Sequence, residues 1–258
     1  MIKILLTGDW HCGDKAGLAP PDFISGRYQD IQLQLWDWFA GQIQGQHFDM
    51  TIFTGDMVEG QNTKNTIELF EPDTYKQAEI AASCAEIIDC KREDMFCVYG
   101  TPFHTAGTMS YEKVFTDLLG IDKPETIQRI KVGDWLNLNV RHTVGRSSIP
   151  YGSGTPALKE LTFETLNAEL QDDESADVCI RGHVHMSSYH QLRDKAVITV
   201  PCLKYPKGIY GRGLIEGYYD MGIGILYVYG KKDYRYQPIH IPLTISSKRE
   251  WKEWKQGE

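Results

Sequence analysis

The sequence predicts a layered α/β domain, and three observations support this fold class. Short apolar runs that end in a glycine or a polar residue recur as far as His185, and such runs are typical of buried strands. Stretches with helical spacing of apolar residues lie between them. From Lys195 onward, apolar runs follow one another without helices, which predicts an antiparallel C-terminal part.

The elements follow in chain order. Five early strands are predicted at residues 2–7, 50–54, 95–99, 135–140 and 178–180. Four helices are predicted at residues 28–39, 74–90, 111–119 and 156–170, and Asp73 has the residue type of an N-cap for the second. Three later strands are predicted at residues 196–200, 222–229 and 234–241.

Composition favours one globular domain with a sizeable core. The chain has 258 residues, of which 41% are hydrophobic, and no linker divides it. We expect a single domain over residues 1–245, followed by a polar tail at 246–258. The net charge of -8 gives no general attraction to phosphate backbones, which argues against a protein that coats duplex DNA. A nuclease stays compatible, because metal ions in a cleft supply local positive charge.

The sequence also predicts a cytoplasmic protein. The first apolar run meets Thr7-Gly8-Asp9 at once and is too short for a signal peptide. No apolar stretch approaches the roughly 20 residues of a membrane span. The six cysteines form no CxxC pair, so we expect buried free thiols rather than disulfides.

Residues able to bind a metal follow the early strands. In open α/β sheets, sites form beyond the carboxyl ends of strands, so these residues are expected at one edge. Two histidines two positions apart at a strand end face the same way and can share a metal. Singly, each also fits a turn, a helix cap or a strand surface. The set comprises Asp9, His11, Asp56, His142, His183 and His185, with Thr101 to His104 after the third strand.

The order of these motifs resembles the calcineurin-like metallophosphoesterase family. Asp9-Trp10-His11, Gly55-Asp56, a glycine-led loop with a histidine, His142 and Gly182-His183-Val184-His185 follow in the family's order over residues 2–185. The resemblance implies a two-sheet β-sandwich flanked by helices, an α/β/β/α fold. It also implies an enzyme that uses two divalent metals.

The same resemblance implies ligand roles. Asp9, His11 and His185 would hold the first metal, Asp56 would bridge both metals, and His142 and His183 would belong to the second. Mixed nitrogen and oxygen ligands suit Mn²⁺, which we expect first, or Zn²⁺ or Fe. Two such ions about 3.5–4 Å apart can activate a bridging hydroxide and neutralise phosphoryl oxygens.

One motif departs from the family pattern. The family shows Gly-Asn-His followed by an acidic residue, whereas this chain has Gly100-Thr101-Pro102-Phe103-His104. Thr101 thus replaces a ligand asparagine. Either His104 becomes a ligand, or the second metal is weaker, or His104 keeps a catalytic acid role, which we favour. The segment Gly100 to His104 is similar to that of phage and prophage phosphoesterases of unassigned substrate. Separately, residues 8–13 are similar to the start of recombination-repair nucleases.

Two loops are candidate walls of a substrate pocket. Residues 143–154 begin at His142, so Arg146 is either a clamp for a phosphate oxygen or a solvated loop residue. Residues 204–212 interleave basic residues with tyrosines, which suits a nucleotide or a single strand, or is an ordinary polar loop.

The sequence therefore predicts a phosphoesterase that acts on a phosphodiester, as a nucleic-acid end or a cyclic nucleotide. A phosphomonoesterase and a non-catalytic binding protein that kept the fold are the alternatives. The sequence leaves the oligomeric state open.

Overall fold

A computed structural model of the protein describes residues 1–24, 29–61, 68–102, 110–147, 152, 154–205 and 219–242. The described residues form ten strands and four α-helices. The strands are β1 (Ile2–Thr7), β2 (Met50–Phe53), β3 (Met95–Cys97), β4 (Gln128–Val132), β5 (Leu136–Arg141), β6 (Val178–Arg181), β7 (Ser188–Leu192), β8 (Lys195–Thr199), β9 (Gly222–Gly230) and β10 (Asp233–His240). The helices are α1 (Gln29–Ile43), α2 (Thr74–Ala85), α3 (Tyr111–Leu119) and α4 (Thr155–Leu170).

The strands form two five-stranded mixed sheets. The first has the order β10-β9-β1-β2-β3, and the second has the order β4-β5-β6-β8-β7. In the first sheet, β1, β2 and β3 are parallel, and β9 runs antiparallel to β1. In the second sheet, β5, β6 and β8 are parallel. Parallel strands end at the same edge, so each sheet gathers the residues that follow its strands.

Apolar residues fill the space between the sheets and beneath the helices. Side chains along β1 point alternately to the two faces of the sheet, so Ile4 and Leu6 lie at the interface between the sheets. There they pack in one cluster with Val140 and Ile180 of the second sheet. Leu5 faces the other way into a second cluster, built with residues of α1, α2 and α3. The outer face of the second sheet packs against Leu161 of α4. The layers are thus helix, sheet, sheet and helix, which confirms the predicted fold class.

Helix boundaries follow local sequence. The predicted cap of α2 is observed, since the side chain of Asp73 accepts hydrogen bonds from the backbone of Tyr75 and Lys76. The helix ends at Ala85 rather than at residue 90, because Asp89 pairs with the segment before β2: it forms a bridge with His47, and its carbonyl accepts from the backbone of Phe48 at 2.9 Å. The predicted limit of the domain at residue 245 lies outside the described residues.

Two strands were not predicted, and one pairing was predicted wrongly. The strands β4 and β7 are largely polar and lie at the two edges of the second sheet, where one side of the strand has no partner strand. The expectation of an antiparallel C-terminal part holds for β9 with β10 and for β8 with β7, but β8 also pairs parallel with β6. Among the described helices, none combines the length and the apolar character needed to cross a membrane.

Candidate metal centre

Two groups of metal-binding side chains lie beside each other at the carboxyl ends of β1, β2, β5 and β6. The first cluster is Asp9, His11 and His185, and the second cluster is Asp56, His142 and His183. Within each cluster, one ligand-type atom from every residue lies within 4.8 Å of the others. The backbone N–H of His183 donates to Asp9 Oδ2 at 3.0 Å, which joins the two clusters.

The first cluster has a tight arrangement of imidazole and carboxylate atoms. His185 Nε2 lies 3.2 Å from Asp9 Oδ1, and His11 Nε2 lies 3.9 Å from the same oxygen. The two Nε2 atoms are 3.1 Å apart. Asp9 and His11 are buried, at 0% and 3% exposure. Three atoms that can coordinate a metal, one from each residue, therefore lie close together.

The second cluster mixes buried and exposed ligands. His142 Nε2 lies 3.0 Å from Asp56 Oδ2, and both residues are 1% exposed. The third member, His183, is exposed, and its ring centroid lies 5.2 Å from that of His142. The second cluster therefore opens toward solvent on the His183 side.

Partners at the far ring nitrogen orient three of the four histidines. His11 Nδ1 lies 2.7 Å from Glu59 Oε2, His185 Nδ1 lies 2.6 Å from the hydroxyl of Tyr219, and His142 Nδ1 lies 2.7 Å from the carbonyl oxygen of Thr54. A carbonyl only accepts, so the proton of neutral His142 sits on Nδ1. A carboxylate favours the same tautomer for His11.

These residues fit a pair of divalent cations. His142 Nε2 is buried and faces Asp56 Oδ2 at 3.0 Å, so the ring nitrogen and the carboxylate oxygen can share a cation. The Nε2 atoms of His11 and His185 face each other at 3.1 Å in the first cluster, so both rings can contribute a ligand atom to one cation. Metal-binding histidines commonly donate their other N–H to a carboxylate or a carbonyl, as His11 and His142 do here.

The backbone of the clusters is held in an unusual conformation. Asp9, His11, Asp56, His183 and His185 all have positive φ angles, between 48° and 71°. Non-glycine residues rarely adopt this region, and such strain concentrates at functional sites. The five residues make up most of the non-glycine residues with positive φ that the structure describes.

Thr101 contacts the second cluster through Asp56. Its backbone N–H donates to Asp56 Oδ1 at 2.6 Å, and its hydroxyl lies 2.8 Å from Asp56 Oδ2. Both oxygens of Asp56 are therefore held from the loop in which the family carries asparagine. Glu112 of α3 lies nearby, and its buried Oε1 has no hydrogen-bond partner among the described residues.

Buried charges shift the proton affinities of this centre. Burial lowers the pKa of His142, but the charges of Asp56 and Asp9 outweigh burial and raise this pKa to about 9. Burial, and then the charge of Asp56, raise the pKa of Glu112 above its ordinary value. His183 has a lowered pKa, because its ring is partly desolvated although the residue reaches solvent, and because the neighbouring His142 also disfavours its cation.

The predicted substrate residues have different outcomes. His104 lies outside the described residues. Arg146 is exposed and lines a small depression with Val184 and Met186, which flank His185. Lys204, expected in a wall for nucleotides, instead lies between Glu59 and Asp14, at 2.8 and 3.1 Å. The rest of that predicted wall, residues 206–212, is outside the described residues.

Sequence reasoning missed the residues that support the histidines. Glu59 follows Asp56 by three positions, and this spacing from a ligand is a usable signal for a supporting carboxylate. Tyr219 and Lys204 follow no motif, because their approach to His185 and Glu59 depends on how the chain returns after β8.

The chain is similar in structure to several solved proteins, although no family model and no curated protein matches it. A novel archaeal phosphodiesterase aligns with 15% identity and a TM-score of 0.48, over 92% of this chain and 100% of that one. Vps29 from Chaetomium thermophilum aligns with 13% identity and a TM-score of 0.48, over 94% and 100%. Vps29 from Entamoeba histolytica, complexed with Zn²⁺, aligns with 13% identity and a TM-score of 0.43, over 93% and 99%.

Proposed function

We propose that this chain is a metal-dependent phosphoesterase that uses two divalent ions to hydrolyse a phosphodiester. The observation that carries the proposal is the pair of adjacent clusters, each with one buried carboxylate and two imidazoles. A nucleic-acid end or a cyclic nucleotide is the proposed substrate class.

Each ion has a proposed set of ligands. Asp9, His11 and His185 would hold the first ion, His142 and His183 would hold the second, and Asp56 would contribute to both. Mn²⁺ is the proposed ion, with Zn²⁺ or Fe as alternatives, because imidazole suits these metals better than it suits Mg²⁺. When bound, two such ions polarise the phosphoryl group and supply a nucleophile at neutral pH.

The side chains of the centre are proposed to bind the cations, to orient the histidine rings and to leave one side open to substrate. Asp9 and Asp56 provide buried negative charge that favours cations. Glu59, Tyr219 and the Thr54 carbonyl fix the rings, so the ligand geometry exists before substrate arrives. His183 lies on the exposed side, which is the proposed side of substrate entry.

The cationic side chains that the structure describes near the centre are largely engaged by carboxylates, which supports a diester over a monoester as the proposed substrate. A diester carries one negative charge, whereas a monoester carries up to two and calls for more cationic contacts. Lys204 is engaged by Glu59 and Asp14, and Arg141 and Arg181 lie against Glu160. Arg146 is exposed and lies in the segment that follows His142 of the second cluster. It is proposed to contact a phosphate oxygen.

His104 is proposed as the acid that protonates the leaving oxygen, on the strength of its place in the sequence. General acid catalysis contributes about 10²–10⁴-fold, so His104→Ala should lower the catalytic rate by that order while metal content stays intact. The loss should shrink for a nitrophenolate leaving group, which needs no proton. An equal loss on good and poor leaving groups, with one metal missing, would instead make His104 a ligand.

The test of the function compares two substrates in the metal-depleted and reloaded protein. Chelated protein should be inactive, and Mn²⁺ should restore hydrolysis of a bis-aryl phosphodiester more than of an aryl monoester, and more than Mg²⁺ does. Asp56→Asn should lose activity and at least one equivalent of bound metal. Faster monoester turnover would favour a phosphomonoesterase. One bound metal or none, without turnover, would favour a non-catalytic protein.

A further inference from the structure

A line of charged side chains lies behind His11, on the side away from the first cluster. Glu59 Oε2 is 2.7 Å from His11 Nδ1 and 2.8 Å from Lys204 Nζ. Lys204 Nζ is also 3.1 Å from Asp14 Oδ2. The side chains of His11, Glu59 and Asp14 are each 4% exposed, and that of Lys204 is 16% exposed. The line is therefore almost wholly shielded from water.

Three separate segments of the chain build this line. The backbone of Glu59 donates to the carbonyl of Cys12 at 3.0 Å, which places Glu59 beside the segment that follows β1. Leu203 donates to the carbonyl of Asp9 at 3.1 Å, and Tyr205 donates to that of Ala16 at 2.8 Å. These two backbone hydrogen bonds fix the segment that carries Lys204, so that its side chain reaches Glu59, 145 positions earlier in the chain.

The charges along the line favour one state of His11. A carboxylate beside Nδ1 keeps the ring proton on that atom, so the lone pair of Nε2 points into the first cluster. An isolated buried carboxylate would be costly, and the ammonium group of Lys204 offsets that cost for both Glu59 and Asp14. Lys204 thus lies between two carboxylates, and the one nearer to the first cluster, Glu59, contacts the ligand ring directly.

We propose that Glu59 is a positioning residue, which fixes the ring and tautomer of His11 for a metal in the first cluster, and that Lys204 and Asp14 hold Glu59 in place. This inference rests on the proposed function to the extent that it requires a cation between Asp9, His11 and His185. It adds to that function a residue that affects one ion and not the other.

The test measures metal affinity at the first cluster alone. In a His183→Ala background, which lacks a ligand of the second cluster, Mn²⁺ and Zn²⁺ are titrated by calorimetry and by competition with a chelating indicator. Glu59→Gln should weaken this binding by about 10- to 100-fold, the usual effect of removing an outer partner of a ligand. In a His11→Ala background, the same change should leave binding at the second cluster unaltered.

The matched control is Asp177→Asn. Asp177 is a buried carboxylate at the opposite end of β6, where its Oδ2 accepts from the backbone of Asn137 at 2.9 Å. This variant should bind metal as the background protein does, even though it also exchanges a buried carboxylate for an amide. Equal weakening by both changes would show a general loss of structure and would overturn the proposed role of Glu59.

Lys204 is tested by non-additivity. Lys204→Met should weaken the first cluster in the same direction, and should cause no further weakening in the Glu59→Gln protein, because Lys204 acts through Glu59. Lys204→Arg, which retains the charge, should restore most of the affinity. Additive losses would mean that Lys204 acts on the centre independently, against the proposal.

A spectroscopic measurement separates positioning from simple packing. In metal-free protein with ¹⁵N-labelled histidine, His11 should carry its proton on Nδ1, and Glu59→Gln should give a mixture of tautomers.

If Glu59→Gln does not fold by circular dichroism, Glu59→Asp provides the weaker perturbation and should show an intermediate loss of affinity. An unchanged tautomer and unchanged affinity overturn the proposal. Metal binding with the predicted losses but no hydrolysis by any variant would leave the positioning role intact and overturn the phosphoesterase function instead.

Discussion

Thr101 donates to both oxygens of Asp56: its backbone N–H lies 2.6 Å from Oδ1, and its hydroxyl lies 2.8 Å from Oδ2. The threonine thus orients the carboxylate that we propose to bridge the two ions. A hydroxyl that points its hydrogen at Asp56 supports a proposed ligand, whereas the resemblance noted in the sequence implies an asparagine at this place that would itself be a ligand.

Removal of this hydroxyl should weaken metal binding, because Thr101 orients the carboxylate that both ions are proposed to share. A hydrogen bond to a charged group contributes about 1.5–3 kcal/mol, so Thr101→Val should weaken binding of at least one metal equivalent by about tenfold or more. Valine has nearly the same shape, and the backbone donor is retained. Thr101→Ser, which keeps the hydroxyl, should behave like the wild type. Calorimetric titration of both variants checks the prediction, and wild-type affinity in Thr101→Val contradicts it.

The sequence predicts the members of the two clusters better than it predicts the residues that support them, and the reason is physical. Asp9, Asp56 and His183 each follow a buried strand directly, so the sheet alone determines their common edge. Lys204 and Tyr219 reach the centre through the path of the chain after β8. That path depends on packing between distant segments, and no local pattern encodes it. The parallel pairing of β8 with β6 escaped prediction for the same reason.

The stability of the metal-free protein should fall as pH rises from about 6.5 to about 9. The pKa of His142 is raised from 6.5 to about 9 in the folded protein, because the charges of Asp56 and Asp9 outweigh burial. A raised pKa means that the folded state holds the proton more tightly. The stabilisation is therefore complete below pH 6.5 and is lost as pH passes through about 9.

Urea unfolding in the presence of a chelator, at pH 6 and at pH 9, measures this dependence. His142→Gln should show a smaller fall than the wild type over the same range. Metal ions compete with the same proton, so affinity for the second ion should rise with pH in that window. A wild-type protein as stable at pH 9 as at pH 6 would rule out the charged pair of His142 and Asp56.

Trp10 should stabilise the ligand loop on which it lies. Trp10 lies between Asp9 and His11 in the sequence, and its side chain is fully buried. Its ring packs edge to face against the rings of Phe39 and Phe53, with centroid distances of 5.5 and 5.7 Å. Trp10→Ala should cost about 3–5 kcal/mol of unfolding free energy. Trp10→Phe should cost much less, because only the hydrogen bond of Nε1 to Thr7 is lost with part of the ring. Denaturant unfolding of the two variants distinguishes packing from a general intolerance of the position.

Gly100 should be irreplaceable even by alanine, because no room exists for a methyl group. A Cβ at this position would lie 2.1 Å from Asp56 Oδ1 and 2.6 Å from Glu112 Oε1. Both atoms belong to buried side chains, and Asp56 Oδ1 is also fixed by the N–H of Thr101. The methyl group would therefore displace the carboxylate that both ions are proposed to share.

Gly100→Ala should accordingly lose affinity for metal at both clusters and lose hydrolysis with it, by at least as much as Asp56→Asn. Gly41→Ala is the matched control, since a Cβ at that position in α1 meets nothing within 4 Å. Alanine favours a helix over glycine by about 0.8–1.0 kcal/mol, so this control should be slightly more stable and should bind metal normally. Metal stoichiometry and unfolding are measured for both variants. Two tightly bound equivalents in Gly100→Ala would show that Asp56 lies elsewhere and would refute the arrangement of the second cluster.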